Sequence, residues 1–164
     1  MVLLAVTSHR GIMSVDVFTE IVIERPRAEV ASFASNPDNA PAWYFNIKSV
    51  ESESRPPLRV GSRVSFVAHF LGKRLTYTYE VVELIPHERL IMRTAHGPFP
   101  METMYTWQAV DRGGTRMGLR NRGRPAGFSR VFAPFMASAM RWANRKDLAR
   151  LKTLLEKGLS SNAA

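Results

Sequence analysis

Three side chains combine a reactive type with an inward position: His96, Tyr105 and Asn144. His96 shares strand parity with Leu90, Met92 and Thr94, so a neutral imidazole there could orient a ligand hydroxyl or shuttle a proton. Its place beside Gly97-Pro98 suits a solvated turn histidine equally well. Tyr105 shares a face with Thr103 and Trp107, while Tyr77 and Tyr79 add further phenols and Glu102, on the opposite parity, belongs to the solvent side. Asn144 interrupts an apolar helical stripe. A buried amide needs partners, so it either hydrogen-bonds a polar group of a ligand or sits at the stripe's edge facing water.

Other chemistries lack their parts. His9, His69, His87 and His96 lie in separate segments without paired or helical spacing, which gives no metal site. There is no G-x-S-x-G elbow, no phosphate-cradling glycine loop and no dinucleotide fingerprint, so no cofactor is implied. The chain has no cysteine, which removes disulfides and thiolate ligands and fits a reducing compartment. No apolar run approaches the roughly 18 residues of a membrane span, and Val2–Val6 is too short for a secretory signal. The expected location is cytoplasmic.

The elements that must position these residues follow from periodicity. Between Ser14 and Glu24 apolar residues alternate at Val15, Val17, Ile21 and Ile23, the period of a strand, and Arg25-Pro26 ends it. Ala28, Val30, Ala31, Phe33 and Ala34 recur at helical spacing until Asn36-Pro37-Asp38, and a second short helix closes within Pro41–Phe45. From Ile47 the strand period returns, broken at Arg55-Pro56-Pro57, Leu71-Gly72-Lys73, Ile85-Pro86-His87, Gly97-Pro98 and Asp111–Gly114. Six more strands are predicted, and turns this closely spaced imply an antiparallel, curved sheet. A long helix is predicted from Pro134 to Lys157, with Ala137, Met140, Asn144, Leu148, Leu151 and Leu155 as its inward stripe. Residues 1–13 read as a loosely held tail, with Met13 an alternative start, residues 14–158 as one domain and residues 159–164 as a flexible end.

This order of elements resembles the helix-grip fold of the START, Bet v 1 and polyketide cyclase (SRPBCC) superfamily. Asn36-Pro37-Asp38-Asn39-Ala40-Pro41-Ala42-Trp43 resembles its acidic, proline-containing lead into a tryptophan, and Gly61–Val64 its glycine before the third strand. Tyr79–Glu83 followed by Pro86 and Arg89-Leu90, then Gly113–Arg116, resemble its recurrent strand ends, so that the likeness covers roughly Ser14 to Gly158. The resemblance implies an α+β fold in which a seven-stranded curved antiparallel sheet wraps the C-terminal helix, with two short helices between the first two strands. It also implies a cavity between sheet and helix. Its wall would be Trp43, Phe66, Tyr79, Met92, His96, Tyr105, Trp107, Met117, Leu119, Met140, Asn144 and Leu148. These bulky, methionine-rich residues suit a small hydrophobic ligand of lipid, polyketide or isoprenoid-like type. They would equally fill a solid core. Superfamily members include carriers, binders, cyclases and dehydratases. Three functions follow as expectations: a carrier or sensor, a cyclase or dehydratase using His96, Tyr105 and Asn144 as acid/base groups, and a docking module with a filled core.

Twenty-three lysines and arginines against 14 acidic residues give a formal charge of +9, with the excess concentrated after Arg112. Such a field attracts an anionic membrane surface, nucleic acid or acidic partners, or simply solvates a helix face. Nucleic acid is disfavoured because no recognition motif accompanies the charge. Phe128, Val131, Phe132 and Phe135 beside this basic run suit an entrance that meets a membrane or a homodimer partner, or a helix cap folded onto the sheet.

Overall fold

The computed structural model describes residues 15–70, 72–97, 100–124 and 133–158. The tail at 1–13, the C-terminal end at 159–164 and the apolar residues Phe128, Val131 and Phe132 lie outside them. The chain runs β1 (Val15–Ile23), α1 (Arg27–Ser35), a 3₁₀ turn (Pro37–Asn39), α2 (Ala40–Trp43), β2 (Ile47–Ser52), β3 (Arg63–Phe70), β4 (Lys73–Ile85), β5 (Arg89–His96), β6 (Met101–Ala109), a second 3₁₀ turn (Asp111–Gly113), β7 (Thr115–Gly123) and α3 (Ala133–Lys157).

All seven strands form one antiparallel sheet in the order β1-β7-β6-β5-β4-β3-β2. The first strand therefore skips past the meander to pair with the last, Val15 facing Gly123 and Ile23 facing Thr115. Register shifts in the β4–β5 pair at Thr78/Tyr79 and Val81/Glu83, and in β2–β3 at Ile47/Ser49, bend the sheet. Alternation behaves as predicted: Val15, Val17, Thr19 and Ile23 are buried on β1, as are Thr103, Tyr105 and Trp107 on β6 and Met117, Leu119 and Asn121 on β7. On the outer face Phe18 lies over Gly118, where an added Cβ would stand 2.9 Å from the Phe18 ring and 2.5 Å from Thr106 Oγ1.

α3 crosses the inner face along β1 and touches α2. It buries Asn144, Asp147, Leu148, Leu151 and Leu155, whereas Ala137 and Met140 of the expected stripe stay partly exposed. Its C-terminal end is tied to the end of β1. Arg25 donates to the Leu155 and Glu156 carbonyls at 3.0 Å each, Lys152 donates to the Val22 carbonyl at 2.7 Å, and the Glu24 amide donates to Glu156 Oε1 at 2.8 Å. The arginine thus satisfies carbonyls that a helix end leaves without partners. No helix among the described residues is long and apolar enough to cross a membrane.

Candidate functional site

The core lies where the concave sheet, the α1–α2 segment and α3 converge, and its centre is aromatic. A proline-bearing turn leads into α2, whose last residue, Trp43, is 1% exposed. Tyr44 caps that helix through its amide to the Ala40 carbonyl, and its hydroxyl meets the Tyr105 hydroxyl at 2.5 Å. Trp43 sets its edge against Tyr105 with ring centroids 6.3 Å apart, and Tyr105 stacks on Trp107 at 6.0 Å. Phe66 meets Tyr79 edge-on at 5.8 Å. Such contacts fix ring orientation beyond simple area burial.

Burial governs the phenols. Desolvation disfavours the phenolate, pushing Tyr79 up to about 12 and both Tyr44 and Tyr105 well above the ordinary tyrosine range. All three are neutral hydroxyls that can donate a hydrogen bond. Asp147, buried on α3, is pushed up to about 6 by desolvation, against the opposing effects of the Phe45 amide it accepts at 2.9 Å and the positive charges of Arg150 and Lys146. One turn earlier, Asn144 accepts from Asn121 Nδ2 at 3.2 Å.

Among the described residues three buried side-chain donors have no hydrogen-bond partner: Trp43 Nε1, Trp107 Nε1 and Asn144 Nδ2. An unpaired buried donor costs about 1–3 kcal/mol, so three in one core are an expense that packing alone does not explain.

The hollow that borders this core is small. Between the α1–α2 segment and the sheet, Ala34–Pro37, Ala40, Phe66, Leu90, Met92 and Tyr105 enclose a hollow of about 10 Å³, room for one water. A second recess of about 330 Å³ opens at the surface beside Arg27, Glu88, Arg89 and Trp107.

The structure brings together most of the predicted wall. Phe66, Met92 and Tyr105 border the hollow, and Trp43, Tyr79, Trp107, Met117, Leu119, Asn144 and Leu148 belong to the surrounding core. Met140 is half-buried. His96 stands apart, exposed at the end of β5. Two residues were missed. Tyr44 was hidden behind the neighbouring Trp43, and Asp147 falls between Asn144 and Leu148 of the stripe as an isolated acid in a basic helix, the one signal that could have marked it.

Comparison places this architecture among known proteins. No relative among curated proteins matches the sequence. The Zhui aromatase/cyclase from Streptomyces sp. R1128 has a TM-score of 0.77 at 14% identity, covering 93% of this chain and 99% of that one. A START superfamily protein from Mycobacterium smegmatis gives 0.71 at 14% identity, covering 85% and 98%. The di-domain ARO/CYC StfQ of the steffimycin biosynthetic pathway gives 0.74 at 12% identity, covering 92% of this chain and 53% of that longer one. Identities this low establish the shared fold. Residues 14–156 match the family described as polyketide cyclase / dehydrase and lipid transport, and with that match over most of its length the chain belongs to this family, within the SRPBCC superfamily.

Proposed function

We propose that the protein binds a small hydrophobic molecule carrying acceptor oxygens, of lipid, polyketide or isoprenoid-like type, between sheet and α3, as a carrier or sensor. The observation that carries this reading is the set of donors without partners among the described residues, Trp43 Nε1, Trp107 Nε1 and Asn144 Nδ2, in the aromatic core. A ketone, ester or ether oxygen would relieve them, whereas a pure hydrocarbon would not.

A hollow of about 10 Å³ is far below the roughly 300 Å³ at which ligand sites begin, so the ligand makes its own room. The α1–α2 segment is the part that gives way. Among the described residues no backbone–backbone hydrogen bond joins residues 27–44 to the sheet, and side-chain packing holds the segment there. Elements held this way open more readily than strands paired on both sides.

An acid/base enzyme of the cyclase or dehydratase type is the second reading, favoured by the Tyr44–Tyr105 hydroxyl pair inside the same core. Neutral phenols would polarise a carbonyl as donors. Native mass spectrometry of the purified protein, with organic extraction of any bound molecule, tests the first reading. The expected result is a bound or exchangeable oxygenated hydrophobe. A protein that arrives empty and refuses hydrophobic dyes and oxygenated lipids alike leaves a filled docking module instead. Conversion of an added ligand that stops in Tyr105→Phe while binding persists moves the assignment to the enzyme.

A further inference from the structure

The outer side of the turn after α2 carries a surface cluster that the interior does not use. Phe45 is 57% exposed and Trp142 on α3 is 64% exposed, large apolar areas for side chains on adjoining elements. Lys146 lies between them, its Nζ 4.8 Å from the Phe45 ring centroid and 4.4 Å from that of Trp142, and Lys48 reaches over Phe45 at 5.4 Å. Trp142 and Lys146 are one helical turn apart, and exposed Arg145 shares that face. Asp147, next to Lys146 in sequence, is buried, accepts from the Phe45 amide and is paired electrostatically with Lys146 and Arg150, which leaves Lys48 and Arg145 as further positive charge at the patch.

We infer that Phe45, Trp142, Lys146 and Lys48 form a docking surface for an anionic lipid membrane. Charge complementarity selects the partner's sign: the described part of α3 carries Arg141, Arg145, Lys146, Arg150, Lys152 and Lys157 against Asp147 and Glu156 alone. The aromatic component selects lipid over other polyanions. Tryptophan and phenylalanine gain by entering the boundary between headgroup and acyl chain, while lysines extend their ammonium groups to the phosphates. The patch bridges the α2–β2 turn and α3, so the whole domain is held at one orientation.

The test mixes the full chain with vesicles of phosphatidylcholine alone or with phosphatidylserine added, reading co-sedimentation and tryptophan emission. Trp43 and Trp107 are buried at 1% and 2% exposure, so Trp142 reports the surface. Expected are association with the anionic vesicles only, a blue shift on binding that disappears in Trp142→Phe, and affinity reduced roughly tenfold by Lys146→Glu, which reverses one charge. Phe45→Ala, a surface change, should weaken binding while leaving the circular dichroism spectrum unaltered. No association with anionic vesicles, a blue shift retained in Trp142→Phe, or the same shift on double-stranded DNA or polyglutamate without any response to vesicles would each overturn the inference.

Discussion

Asp147 is the residue whose chemistry reaches furthest into stability. Its folded-state pKa is raised from 3.8 to about 6, so between those values the native protein holds a proton that the unfolded chain has released. This term therefore stabilises the fold at low pH and is lost as pH rises through 6, at a cost of about 3 kcal/mol at neutrality. Asp16 and Glu156 act in the opposite sense. The Arg120 hydrogen bond lowers Asp16 and the Glu24 amide lowers Glu156, so both favour the fold above the unfolded carboxylate range and lose that contribution as pH falls. Asp147→Asn keeps an acceptor for the Phe45 amide and removes the buried charge. The expected outcome is a gain of about 1–3 kcal/mol near pH 7 that shrinks to nothing near pH 4, read as the difference between the two proteins' urea midpoints across pH. At this scale sequence reveals identity better than environment: Asn144 was recognisable as a break in an apolar stripe, but a charged residue next to that stripe reads as solvated until α3's rotation against the turn at Phe45 is known.

At the scale of elements, alternation was a reliable guide because each strand has one wet and one dry face. The predicted breaks coincide with the strand ends, and α3 begins within one residue of Pro134. The register shifts in β4 were not legible, since a bulge leaves the local pattern nearly intact while moving the partner by one position. Nor was the anchoring of α3, because Arg25 is 130 residues from Leu155 in the chain. That arginine supplies two of the bonds holding the helix end to β1. Arg25→Ala should destabilise the protein by about 2 kcal/mol, as expected for losing partly buried charge-assisted hydrogen bonds, and chemical denaturation measures it. A change below a few tenths would show that solvent replaces the guanidinium at no cost.

For the molecule as a whole, order and orientation of the elements were readable, and the size of the interior was not. Parity tells which side chains face inward, yet whether Tyr105, Phe66 and Met92 meet or stand apart depends on sheet curvature at the ångström level. Among the described residues the hollow beside Tyr105 is small, and no backbone–backbone hydrogen bond joins the neighbouring α1–α2 segment to the sheet. Native-state hydrogen exchange followed by mass spectrometry should find the amides of α1 and α2 exchanging well before those of β6 and β7, which are paired on both sides. Equal protection in both regions would count against the entry route that the proposed function requires.

The sheet order has one more effect. With Lys152 reaching the Val22 carbonyl, α3 guards the β1 flank, which leaves β2 as the opposite boundary of the sheet. That strand is short, irregular at Ile47/Ser49 and studded with Lys48 and Glu51, traits that make a poor template for a stray strand from another molecule. If the interior loosens to admit a guest, as the proposed function requires, such an edge lowers the risk of growing into aggregates while it does so.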